Sequence, residues 1–146
     1  MTRQSGEGPR VSQTVRAHLA DAHACLADSA ASRTPAEGYV SAHLAALRAA
    51  AAILAALPRP MDGRRRRLRS AWELLPEAEP KLAQWAAYFA ETARKRAMAE
   101  AGMVRVVSAP ESDELLAEAR TFVAVVEDIL GVPGQATIPV NTPMAG

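Results

Sequence analysis

The sequence predicts an all-α protein: a bundle of four long helices, with a short extra helix following an arginine-rich loop. Three observations carry this. Apolar residues recur at steps of three and four, the helical period, rather than alternating as strands do. Three segments, Thr34-Pro-Ala-Glu37, Ser70-Ala-Trp-Glu73 and Ser108-Ala-Pro-Glu111, have the hydroxyl and glutamate spacing of a capping box, in which each side chain satisfies an orphan backbone N–H. Alanine, the best helix former, fills nine positions between residues 42 and 56.

The elements follow in order. Residues 1–10 are polar and contain glycine, which predicts a flexible tail, and the bundle is expected over 11–131. Val11, Val15, Leu19, Ala22 and Leu26 define a first amphipathic helix to about Ala31. Thr34 caps a second, with Pro35 at its first position, running to about Leu57. One stripe of that helix reads Val40, Leu44, Leu47, Ala51 and Leu54, and another reads Tyr39, His43, Ala46, Ala50 and Ile53. A helix apolar around so much of its circumference belongs at the centre of a bundle. Pro58 to Arg69 reads as a loop. After Ser70 a short helix begins, which Pro76 is expected to limit to about one turn. Pro80 starts a third long helix carrying Leu82, Trp85, Ala86 and Phe89, ending near Gly102. Met103–Val107 has no strand partner and reads as a connector over the core. Ser108 launches the last helix, which Gly131 stops in left-handed geometry. Residues 132–146 are proline-rich and predict a disordered tail.

Composition narrows the function. The net charge of +1 argues against wholesale electrostatic binding of nucleic acid, so local clusters matter more. Cys25 is the single cysteine, so there is no disulfide framework within the chain. No apolar run approaches the ~20 residues that span a bilayer, and the first ten residues lack the apolar core of a secretory signal. A cytoplasmic protein with no membrane association is expected. No nucleophile elbow, phosphate loop, dinucleotide fingerprint or metalloprotease motif occurs, and His18, His23 and Cys25 do not make a convincing zinc set. Neither cofactor nor metal is expected.

Arg64, Arg65, Arg66, Arg67 and Arg69 form the densest charge cluster, directly ahead of the helix start at Ser70. Backbone donors there add to guanidinium groups, which suit phosphate. Three readings are open: a solvated loop, an anion or nucleic-acid site, or a patch that meets an acidic protein partner. His43 reads as a hydrogen-bonded core or interface histidine. Arg48, a lone charge on the second helix, is expected to pair with Glu73 or Glu127.

The second helix, Tyr39-Val-Ser-Ala-His-Leu-Ala-Ala-Leu-Arg-Ala-Ala-Ala-Ala-Ile-Leu-Ala55, resembles the core helix of HEPN domains (higher eukaryotes and prokaryotes nucleotide-binding). With the block Arg69-Ser-Ala-Trp-Glu-Leu-Leu-Pro76 and the stretch Leu82-Ala-Gln-Trp-Ala-Ala-Tyr-Phe-Ala90, the chain looks like an actinobacterial HEPN family over roughly residues 12–131. The resemblance implies a helical bundle, dimerisation, and association with RNA or nucleotides. Many HEPN proteins are metal-independent ribonucleases in which four to six residues separate an arginine from a histidine. The match in spacing here is Arg16-Ala-His-Leu-Ala-Asp-Ala-His23. Seven residues turn a helix through about 700°, so the two side chains share a face about 10.5 Å apart along the axis. This pair lies on the first helix rather than the last, and Ala17 follows the arginine where the motif often has a polar residue. The expectation is a self-associating, non-catalytic module that binds RNA, a nucleotide or a protein partner. The alternative is a toxin-like ribonuclease using Arg16 and His23.

Overall fold

The computed structural model describes residues 11–57 and 69–133. The expectations for residues 1–10, for Pro58–Leu68 and for 134–146 lie outside them. Five α-helices and two short 3-10 turns occur among the described residues, and no strand. We label the helices α1 (Gln13–Ala30), α2 (Pro35–Ala56), α3 (Ala71–Ala78), α4 (Ala83–Glu100) and α5 (Ala109–Leu130).

Local chemistry sets the boundaries. The hydroxyl of Ser12 accepts the Val15 N–H and starts α1. Thr34 accepts the Glu37 N–H to start α2, with Pro35 in the first turn, where a missing N–H costs nothing. Both halves of the capping box form at Ser70 and Glu73, and again at Ser108 and Glu111. At Gly131 the backbone turns left-handed (φ 72°), a region glycine enters without steric penalty.

α3 corrects one expectation, because it continues through Pro76 to Ala78 instead of stopping after one turn. The proline ring forfeits the bond to the Trp72 carbonyl. Burial of Trp72, Leu74 and Leu75 offsets that loss, and Arg69 reinforces the helix by donating to the Glu73 carbonyl (3.3 Å) and the Glu77 carboxylate (2.5 Å). The third long helix differs at its start, since Pro80–Leu82 is a 3-10 turn leading into α4. The connector before α5 contains a second such turn, Val104–Val106; Val107 is buried beneath it, whereas Met103 and Val104 face solvent.

The core is built on α2, which packs against α1, α3, α4 and α5. Ala42, Ala45, Ala46, Ala49, Ala50, Ala52 and Ile53 are fully buried along it, and such small side chains let neighbouring helices approach closely. By length and composition α2 could cross a membrane, which corrects the reading that no run approaches that length. In this fold half of its most apolar window is buried inside the bundle. An aromatic cluster fills the space between α3, α4 and α5. Trp72 stacks on Phe89 at 5.2 Å, and Phe122 sits 5.2 Å from Phe89 and 5.5 Å from Trp85.

The tight connection between α1 and α2 makes them an antiparallel hairpin, so the start of α1 and the end of α2 share one end of the bundle. The end of α5 joins them there, because Val132 and Pro133 border the same cleft as Arg16.

Candidate anion and nucleic-acid site

That cleft has a volume of about 300 Å³ and is bordered by Arg16, Leu19, Ala20, His23, Glu127, Val132 and Pro133. Leu19 lies one turn from both Arg16 and His23, so all three fall on adjacent strips of α1. Glu127 comes from the last turn of α5. Its backbone carbonyl accepts the Val132 N–H, which folds the chain after Gly131 back over the site. Residues 132–133 are thus part of the structure, where the sequence predicts a tail.

His23 Nε2 donates to Glu127 Oε2 at 2.7 Å. The carboxylate is almost wholly buried, whereas the imidazole is about one-fifth exposed. A buried carboxylate is costly without a partner, so this pairing stabilises the groups it joins. It also fixes the imidazole: the outer nitrogen is engaged, leaving Nδ1, the nitrogen nearer the backbone, free of that bond. Arg16 is exposed on the other side of the cleft. The arrangement therefore offers a guanidinium and an imidazole edge above an apolar floor of Leu19 and Val132. Chemically it can hold an anionic group beside a flat apolar one.

The structure thus brings the two residues of the arginine–histidine pair to one cleft and adds a third that sequence reading had assigned elsewhere. Glu127 had a signal in the sequence: it is an acid inside the apolar stripe of Val123, Val126 and Leu130. Arg48 pairs with neither carboxylate foreseen for it, because Glu127 is taken by His23 and Glu73 by the cap at Ser70.

Arg64, Arg65, Arg66 and Arg67 lie outside the described residues. Arg69 is described, and its guanidinium turns onto α3 through Glu73 and Glu77. The segment bearing the other four arginines connects Leu57, at the end of α2, with Arg69, at the start of α3. Its α2 flank stands at the end of the bundle that holds the Arg16–His23 cleft.

His43 is a core residue. Its Nε2–H donates to the Phe89 carbonyl at 3.0 Å, and Trp72 and Phe89 meet the ring edge-on. Nδ1 is buried and has no partner among the described residues. Burial pushes its pKa below the usual imidazole value, with Arg96 adding to the shift and the Phe89 bond and Glu100 opposing it. Cys25 is half-buried, and burial raises its pKa, disfavouring the reactive thiolate. Among the described residues, no three His, Cys, Asp or Glu side chains are grouped to hold a metal ion.

Residues 13–127 match the family model described as SAV_6107-like HEPN. The match spans the helices that build the cleft, from α1 to Glu127. No curated protein and no solved structure matches the chain.

Proposed function

We propose that this chain, which belongs to the SAV_6107-like HEPN family, is a non-catalytic, self-associating module that binds RNA or a nucleotide through its phosphate. The observation that carries the reading is the convergence of Arg16, His23 and Glu127 on one open cleft. Arg16 supplies a permanent charge for phosphate, and the apolar floor suits a base or ribose. Arg64, Arg65, Arg66, Arg67 and Arg69 add further cationic candidates in the sequence between α2 and α3. Binding without catalysis is favoured because Glu127 occupies the His23 nitrogen that projects furthest from the backbone. A general base must come within hydrogen-bond reach of the proton it removes.

Self-association rests on α2. Val40, Leu44, Leu47 and Ala51, one stripe of that helix, stay only half-buried in the single chain. A second copy that covers this stripe would remove apolar surface from water, as stable dimers do. Sedimentation at micromolar concentration should give a particle of about twice the 15.5 kDa chain mass. A species of single-chain mass at every concentration would remove self-association from the reading.

Binding of single-stranded RNA should weaken steeply with salt, with a slope of about −0.7 per phosphate neutralised. Replacing Arg64, Arg65, Arg66, Arg67 and Arg69 with glutamine, or Arg16 with glutamine, should flatten that slope without loss of helicity. A panel of RNAs and nucleotides that shows no salt-sensitive binding at low ionic strength overturns the proposal.

One observation favours the ribonuclease alternative: a histidine oriented by a carboxylate, with an arginine across the cleft, is a workable acid–base arrangement. Incubating the protein with mixed RNA in EDTA separates the two. Cleavage that vanishes in His23→Ala would establish the enzyme reading, whereas intact RNA that nevertheless binds supports the module.

A further inference from the structure

Met103 and Val104 are the large apolar side chains that stand exposed among the described residues, at 51% and 56%. They lie at the end of the bundle opposite the Arg16–His23 cleft, where α4 gives way to the connector. Backbone bonds hold them there. Gly102 turns left-handed (φ 99°), so that the Met103 N–H reaches back to the Met98 carbonyl at 3.0 Å. The Gly102 N–H meets the Ala99 carbonyl at 3.1 Å. In a helix stop of this kind the residue at the place of Met103 commonly packs against the last turn. Here it stays half in water. Val104 donates to the Gly102 carbonyl and Val106 to the Met103 carbonyl, which fixes the shape of the connector.

Beside this projection runs a groove of about 380 Å³ between the start of α2 and the end of α4. Ala36, Val40, Ala99 and Val104 give it apolar walls, and the exposed acids Glu37 and Glu100 also line it. Glu100 is held by Arg96. Glu37 makes no ion pair among the described residues, and neither does Arg105, which stands exposed next to Val104. One face therefore carries an apolar projection followed by a spare cation, beside an apolar groove with a spare acid.

A two-fold interface requires such a face, because each copy must present both halves of every contact. We propose that two copies of the chain meet here: Met103 of each enters the α2–α4 groove of the other, and Arg105 of each pairs with Glu37 of the other. The inference rests on the self-association reading and locates its contact. Val40, the first residue of the half-buried α2 stripe, also lines the groove, so the two surfaces are continuous. Methionine and arginine are enriched where proteins meet, and an unbranched thioether adapts to an irregular pocket. Phosphate is a poor occupant, since Glu37 and Glu100 would repel it.

Sedimentation equilibrium of the full chain, in the wild type and four variants, tests this at moderate ionic strength. Met103→Asp alters an exposed side chain, so helicity should be kept while the dimer dissociation constant rises about tenfold or more. Glu37→Arg and Arg105→Glu each set like charges opposite one another at two symmetric places, and each should weaken the dimer about tenfold. The double variant exchanges the two charges and should recover most of the wild-type affinity. If the wild type is a dimer that Met103→Asp leaves unchanged, the connector contact is overturned and self-association through the α2 stripe stands. If the double variant is no tighter than the single ones, Arg105 and Glu37 do not meet and the proposal is likewise overturned. A wild type of single-chain mass at every concentration overturns both readings.

Discussion

His23 Nε2 donates to Glu127 Oε2 at 2.7 Å across 104 residues of chain, tying the middle of α1 to the last turn of α5. The bond closes one side of the cleft and holds the two ends of the family match together. It also joins a nearly buried carboxylate to a partly exposed ring, so the two partners do not contribute equally.

Removal of the imidazole should therefore cost more than neutralisation of the acid. His23→Ala leaves Glu127 buried without a donor and should lower stability by about 3 kcal/mol. Glu127→Gln keeps an acceptor for the ring and should cost about 1 kcal/mol. Urea midpoints of the two variants check the order. Equal losses would mean that the carboxylate finds water or another donor when His23 is removed.

The unpartnered Nδ1 of His43 makes stability depend on pH. Burial lowers the folded-state pKa below the unfolded value near 6.5, so the unfolded chain binds the proton more readily. The contribution of His43 is complete above about pH 6.5 and is lost as pH falls from there through the folded pKa. Denaturation between pH 7.5 and 5 should show stability falling by up to about 1.4 kcal/mol per unit from this group. In His43→Leu the decline should become shallower. An unchanged slope would mean that His43 is not the source of the pH dependence.

The line between what the sequence reveals and what it hides follows the range of the interaction. Ser70 with Glu73, and Ser108 with Glu111, sit three residues apart, so their bonds can be read from spacing alone. Of the two stripes read along α2, Tyr39, His43, Ala46, Ala50 and Ile53 are buried, whereas Val40, Leu44, Leu47, Ala51 and Leu54 stay half-buried, because periodicity says that a helix is apolar on several sides but not which side its neighbours cover. Arg16 and His23, like the capping pairs, were legible from local spacing. Glu127 was not, because nothing within one helix says which distant side chain fills the gap beside an isolated acid. Pro76 misled because propensity near a proline competes with burial, and burial of Leu74 and Leu75 prevails.

Both tyrosines of the chain should ionise late. Burial and the α5 carboxylates disfavour the phenolate, and Tyr88 is driven to about 12. Tyrosinate absorbance should therefore rise well above the pH of a free phenol, near 10. Glu118→Gln removes one of the charges responsible and should bring the onset to lower pH. A normal titration at both residues would place the hydroxyls away from Glu114 and Glu118.

Gly38 and Ser112 should prove strongly coupled. A Cβ at position 38 would stand 2.6 Å from Ser112 Oγ, closer than real Cβ atoms come, while its next neighbour, the Ser29 carbonyl oxygen, lies at 3.6 Å. The glycine thus lets α2 and α5 approach, and Ser29 Oγ secures the same point by donating to the Gly38 carbonyl at 2.8 Å. In a helix interior alanine is favoured over glycine by about 1 kcal/mol, so two effects of opposite sign compete in Gly38→Ala. Overpacking at a tight helix contact typically costs about 1–3 kcal/mol, which should leave the single variant destabilised by about 1 kcal/mol. Ser112→Ala removes the colliding oxygen. In that background the same Gly38→Ala change should raise stability by about 0.5–1 kcal/mol, a coupling of about 2 kcal/mol in the four-protein cycle. If Gly38→Ala is stabilising in both backgrounds, the Ser112 hydroxyl rotates clear and the close approach is not what retains glycine at this position.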